Sequence, residues 1–214
     1  MDSVTLLHWL VKAQKRTPAV ISFLYGQRHT RELACARENA ALLGLQPPQV
    51  VDLSPLAGLF NISSLVNRDL VVPTIDTVEA DAMPSTYVPN RNMIFLALAV
   101  AWAETLGARE VYCGAQAHDL YGYWDTTPEF MARLNAVYAL NTDYPVQVLA
   151  PFETYSKTDV LRAGLELGVD YGKTWSCYAG EDLACGQCPT CAERLKAFAE
   201  LGLKDPLPYQ HPNS

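Results

Sequence analysis

Three observations predict an α/β fold in which a parallel sheet carries helices on both faces. Short runs rich in β-branched and aromatic residues alternate along the chain with segments of helical period. The helical segments are long enough to serve as crossovers between parallel strands. Half of the 214 residues (50%) are hydrophobic, enough to bury one core with at most a small appendage.

The elements follow in order. Residues 3–16, SVTLLHWLVKAQKR, read as a helix with Val4, Leu7, Leu10 and Val11 on one face and Asp2 or Ser3 as its cap. AVISFLYG (19–26) is a buried-strand run ended by Gly26, and RELACARENAALLGL (31–45) a helix with Gly44 near its end. QVVDL (49–53) is a short strand, and residues 54–89 are loop-rich, with Pro55, Pro73, Pro84 and Pro89. NMIFLALAVAWAETLG (92–107) is apolar almost all round, so it should be a buried helix. EVYCGA (110–115) is a strand, and the next helix opens at Pro128, a residue suited to a first turn. PVQVLAP (145–151) is a strand and SKTDVLRAGLELG (156–168) a helix capped by Ser156. The expected division is 1–172 for the α/β unit and 173–214 for a C-terminal clip.

Composition narrows the function classes. The net charge of −7 with no Lys/Arg cluster argues against direct nucleic-acid binding. No apolar run approaches the roughly 18 residues of a membrane span. Near the N-terminus the basic residues follow the apolar stretch, the wrong order for a secretory signal, so a cytoplasmic, reducing environment is expected. In that setting clustered cysteines bind metal rather than pair as disulfides. Four of the six cysteines, Cys177, Cys185, Cys188 and Cys191, are spaced x7-x2-x2. A tetrahedral structural zinc suits four thiolates on two-residue spacers, with Gly186 in the tight knuckle. An iron–sulfur cluster is the competing reading, but its run continues x3-Cys-Pro, whereas Cys191 leads into AERLK. Cys35 and Cys113 stand alone in apolar contexts and read as buried small hydrophobes.

Parallel α/β sheets bind ligands beyond the carboxyl ends of their strands, and the polar segments fall there. YGQRH contributes Tyr25, Gln27, Arg28 and His29; TYVPNRN contributes Tyr87, Asn90, Arg91 and Asn92 ahead of an apolar helix whose N-terminus could help hold an anion. After EVYCG come Asp119, Tyr123, Asp125 and Glu129 among aromatics, a grouping suited to a polar ligand.

YGQRH, TYVPNRN, GYWDTTPEF, SKTDVLRAGLELGV and TWSCYAGEDLACGQCPTC, in that order over nearly the whole chain, resemble the 7-cyano-7-deazaguanine synthase family. The resemblance implies an adenine nucleotide α-hydrolase-like (Rossmann-like) fold of the N-type ATP pyrophosphatases and a homodimer. It implies ATP-dependent conversion of 7-carboxy-7-deazaguanine and ammonia to the nitrile, feeding queuosine or a related deazapurine modification. ATP, Mg²⁺ and structural zinc are the implied cofactors. Catalytic roles fall on Asp2, Ser3, Arg91 and Asp125. Nucleotide contacts fall on Asp2, Ser3, Val4, Thr5, Tyr25, Gln27, Arg28 and His29. Substrate contacts fall on Tyr87, Asn90, Arg91, Asn92, Asp119, Tyr123 and Glu129, and zinc on Cys177, Cys185, Cys188 and Cys191.

The family's phosphate loop reads Ser-Gly-Gly-x-Asp-Ser after a strand; here Met1 takes the x position, leaving Asp2 and Ser3. The family's strand order is 3-2-1-4-5, and the four runs here correspond to strands 2, 3, 4 and 5. The chain therefore reads as lacking the first strand, through a misassigned start or trimming, with a gap between the 19–25 and 110–115 runs, and with poor folding and little ATP hydrolysis expected. Trp124, Thr126 and Thr127 also depart from the family's pattern, leaving open a divergent relative acting on another deazapurine, or a non-catalytic binding subunit.

Overall fold

The computed structural model describes residues 1–77, 83–116, 123–180 and 182–211. It is an α/β fold of four short parallel strands and six principal helices among those residues. Helix α1 spans Asp2–His8 and continues through a π-helical turn, Trp9–Ala13. Strand β1 (Ile21–Leu24) is followed by α2 (Arg31–Leu42), β2 (Gln49–Asp52), α3 (Arg91–Leu106) and β3 (Glu110–Tyr112). The chain closes with α4 (Pro128–Tyr138), β4 (Gln147–Leu149), α5 (Lys157–Glu166) and α6 (Pro189–Glu200). None of the described helices is long and apolar enough to cross a membrane.

The sheet is in two halves. β1 pairs in parallel with β2, Ile21 opposite Gln49, and β3 with β4, Glu110 opposite Gln147. Among the described residues β1 and β3 do not pair. A cleft of about 1030 Å³ lies between the two halves, walled by both strands, α1 and α3. Every residue of β1 and β3 is partly exposed, whereas Val148 of β4 is buried under α3 and α4. Unpaired strand edges leave backbone and alternate side chains facing the opening.

The helices fall as the apolar spacing predicts, with two differences. Val4, Leu7 and Leu10 are buried, but Asp2 lies inside the first turn and Met1 occupies the capping position without a side-chain bond. The helix start abuts Gly114, where a Cβ would lie 3.1 Å from the Ser3 amide nitrogen. Helix α3 is only half buried: Leu96, Ala99, Val100 and Ala103 pack on α4 and β4 or the cleft floor, while Ala97, Ala101 and Leu106 are exposed. Ser156 caps α5 in a reciprocal box with Asp159, and Thr127 caps α4 by accepting from the Phe130 amide.

The C-terminal segment packs against both ends of the chain. Phe198 and Ala197 of α6 join Val4 of α1 and Leu161 of α5 in one cluster. Arg194, 1% exposed, makes a bidentate bond to Asp205 (2.6 and 2.9 Å) and also donates to Thr174 Oγ1 and the Tyr171 carbonyl. Asp205 further accepts from the Leu207 amide and the Tyr209 hydroxyl. A buried pair so fully hydrogen-bonded fixes the register of the tail on α6 even if its net contribution to stability is small.

A second buried polar group sets a pH dependence. Asn39 donates its amide hydrogens to the carbonyls of Cys35 and Lys173, so its oxygen accepts from His8 Nε2 at 3.1 Å. His8 Nδ1 is then the unprotonated nitrogen, buried with no partner. Burial holds the His8 pKa below its ordinary value of 6.5 despite the Asn39 bond. The unfolded chain takes up a proton as pH falls through 6.5 that the folded chain refuses, so this stability is complete above that pH and is lost below it. Urea midpoints are expected to fall between pH 7.5 and 5.5 by more in the native protein than in His8→Gln; equal falls would contradict this role.

Candidate active site and metal centre

The cleft between the half-sheets gathers charged groups from distant parts of the sequence. Asp2 and Ser3 at the start of α1 line it with Arg91 and Asn92 at the start of α3 and Lys157 at the start of α5. Gly114, beyond the carboxyl end of β3, lets this wall close: a Cβ there would lie 3.1 Å from the Ser3 amide and 3.2 Å from the Asp2 carbonyl carbon. Lys157 Nζ donates to Asp2 Oδ2 at 2.6 Å, while Asp2 Oδ1 is buried without a hydrogen-bond partner among the described residues. Burial alone would raise the Asp2 pKa, but the Lys157 ammonium and its hydrogen bond, with the neighbouring amino terminus, together outweigh it and hold the carboxyl below its ordinary range. A buried anionic oxygen with nothing on it is suited to a hard cation such as Mg²⁺.

Arg91 is the cleft's second anchor. Burial would lower its pKa, but the neighbouring Tyr25 and Tyr178 hydroxyls and Asp125 keep the guanidinium firmly charged, and its side chain is hydrogen-bonded to Tyr25. Tyr25 itself is pushed up by burial, against the pull of Arg91, and stays neutral. Asp125, 2% exposed, does not face the cleft. Its Oδ2 accepts from the Asn92 amide at 3.1 Å, capping α3 across the chain, while its carbonyl accepts from Asn92 Nδ2. Asp125 therefore orients the helix start that carries Arg91.

The other sequence-based site residues divide by what they touch. Gln27 lines the cleft while bridging the Tyr25 amide and the Phe23 carbonyl at the end of β1. Arg28 turns away to donate to the carbonyls of Ser64, Asn67 and Leu70, tying down the long loop. His29 contacts the Cys177 carbonyl at 2.6 Å and the Trp175 indole, joining this loop to the cysteine segment. Val4 packs in the core, and Thr5 is fully buried, bonded to the Met1 carbonyl and the Tyr171 hydroxyl. Val4 nonetheless reaches the cleft wall, whereas Thr5, two positions on from Ser3, turns to the opposite side of the helix. Tyr87 accepts from the Asn90 amide and the Trp124 indole and stacks near Tyr123, whose hydroxyl meets Thr86. Asn90 takes a left-handed turn (φ 53°) into α3. Glu129 is an exposed partner of Arg133 on the outer face of α4. Asp119 lies outside the described residues. Cys35 and Cys113 are half-buried, packed against core clusters on one side and lining the cleft on the other. Lys157 escaped the sequence reading because its partner lies 155 positions away; only its place one residue after a helix cap hinted at an anion-facing role.

The sulfurs of Cys177, Cys185, Cys188 and Cys191 lie within 4.8 Å of one another. A zinc with four Zn–S bonds of about 2.3 Å needs sulfurs roughly 3.8 Å apart, so a small inward movement completes the site. The Cys177 sulfur accepts from the amides of Gly180 and Cys185, and the Cys185 sulfur from the amide of Cys188, the donors a bound thiolate requires. Gly186 is at φ 81°, and a Cβ there would lie 2.5 Å from the His211 carbonyl oxygen, so the knuckle demands glycine. Helix α6 begins at Pro189, which puts Cys191 in its first turn. The donor set and its closed surroundings fit a structural zinc.

The family model described as Queuosine biosynthesis protein QueC matches residues 1–202. The chain is similar to the 7-cyano-7-deazaguanine synthase of Psychromonas ingrahamii, 43% identical over 98% of this chain and 94% of that protein. It is similarly related to the synthase of Alteromonas mediterranea, 45% identical over 98% and 94% of the two chains. The synthase of Caldicellulosiruptor bescii is 45% identical over 98% of this chain and 93% of its own.

Proposed function

The chain belongs to the queuosine biosynthesis protein QueC family, and on that premise we propose that it converts 7-carboxy-7-deazaguanine and ammonia to 7-cyano-7-deazaguanine at the expense of ATP. The observation that carries the reading is the near full-length identity to proteins bearing that name, at 43–45%. The cleft chemistry supports it, because parallel α/β sheets bind nucleotides and anionic substrates beyond the carboxyl ends of their strands, and here Arg91 and Lys157 supply cations to the same cleft.

A carboxylate is a poor electrophile, so the first task is to give it a leaving group. One carboxylate oxygen attacks the α-phosphorus of ATP, and pyrophosphate departs. Ammonia then adds to the acyl carbon, the bond from that carbon to the AMP oxygen breaks, AMP leaves carrying that oxygen, and an amide and a proton remain. A second adenylation through the amide oxygen, followed by loss of AMP and protons from nitrogen, forms the nitrile. In this scheme Arg91 holds the carboxylate and steadies charge on the transferring oxygen. Lys157 and the N-terminus of α1 attract phosphate oxygens. Asp2, through its unpartnered Oδ1, would hold a Mg²⁺ ion, which would supply charge neutralisation for the leaving pyrophosphate. Tyr25 supplies a neutral hydroxyl beside Arg91, and the aromatic wall limits water at the activated acid.

Incubating the protein with 7-carboxy-7-deazaguanine, ATP and ammonium and following products by mass spectrometry tests the reading. Nitrile and AMP are expected to accumulate together. Accumulation of a different deazapurine adduct, or AMP release indifferent to the deazapurine, would contradict it.

A further inference from the structure

Gln116 stands just beyond the carboxyl end of β3, two residues after the glycine that abuts Asp2 and Ser3. It lines the cleft, and only 8% of its surface is exposed. Its Oε1 is buried with no hydrogen-bond partner among the described residues. The Asp2 oxygen in the same wall is charged and suited to a cation, but an amide oxygen is neutral and takes an N–H or O–H donor. A buried acceptor left empty is costly, and its position in an open cleft means that a ligand can satisfy it.

We propose that Gln116 Oε1 accepts a hydrogen bond from the exocyclic amino group of a purine-type ring bound in the cleft, making Gln116 a specificity-determining residue. This rests on the proposed function, which brings two such rings to the site: the adenine of ATP and the 2-aminopyrimidinone of the deazaguanine. Ammonia also donates, but it enters only after activation. A ring amine is held throughout the bound state, which is what a permanently desolvated acceptor requires. Sites built to bond an N–H group reject analogues lacking it, because the protein's own polar atom is then stranded.

The test compares binding of two ligand pairs by calorimetry. One pair is ATP and its analogue without the 6-amino group; the other is 7-carboxy-7-deazaguanine and its analogue without the 2-amino group. The native protein is expected to prefer the amino-bearing member of one pair by about 5- to 150-fold. Gln116→Leu should reduce that preference to within about twofold, and Gln116→Glu, which keeps an acceptor, should retain most of it. Gln116→Met serves the same purpose if the leucine variant fails to fold. Collapse in the ATP pair assigns the acceptor to adenine; collapse in the other assigns it to the substrate base. Preferences unchanged by substitution, or absent from the native protein in both pairs, overturn the proposal. Failure of the native protein to form nitrile would instead strike the proposed function, leaving the binding comparison to decide Gln116 on its own.

Discussion

Exchanging Cys185 for serine is expected to empty the zinc site and lower the melting temperature by roughly 10 °C or more, since structural zinc is coupled to folding free energy. Cys185 bonds to two of the other three ligands' networks: its amide donates to the Cys177 sulfur, and its own sulfur accepts from the Cys188 amide. The loss will not stay local. Cys177 offers its carbonyl to His29 and to Trp175, and Arg31 lies over the Trp175 ring at 4.4 Å. Relaxing the segment therefore frees the loop after β1, which also carries Gln27. Metal analysis should give about one zinc per native chain and far less in the variant, with faster hydrogen exchange in both the 174–191 segment and the 25–31 loop. Full zinc content in the variant, or exchange changes confined to the tail, would contradict this coupling.

Replacing Arg91 by alanine is expected to lower kcat/KM for the deazapurine by on the order of 10²- to 10³-fold, the loss typical of removing a charged group that acts on developing negative charge. Lysine should rescue little, because its point charge lacks the planar fork that can hold a carboxylate and the Tyr25 hydroxyl together. The melting temperature should change far less than the rate, since Asp125 still caps α3 through the Asn92 backbone amide. A variant that loses stability in proportion to activity would mean that Arg91 is structural.

What the sequence revealed follows the range of the interactions involved. The Ser156 cap, the Pro128 start and the four-cysteine cluster depend on residues a few positions apart, and each was legible. The alternation of strands and helices was legible for the same reason, because periodicity is local. The apolar circumference of α3 misled, since one side borders an open cleft rather than a packed layer. Roles within YGQRH were not separable: Gln27, Arg28 and His29 are all polar and adjacent, and only the chain's return at Ser64 and at Cys177 decides which are committed elsewhere. Lys157 with Asp2, Arg194 with Asp205, and Asp125 with the Asn92 amide are pairings that tertiary structure alone makes.

The central claim, that this cleft activates a carboxylate by adenylation, is tested most directly by the fate of the carboxylate oxygens. With ¹⁸O in both carboxyl positions, each AMP released on the way to the nitrile should carry one labelled oxygen, in the acid-to-amide step and again in the amide-to-nitrile step. Label appearing instead in inorganic phosphate or in water, with unlabelled AMP, would contradict the account.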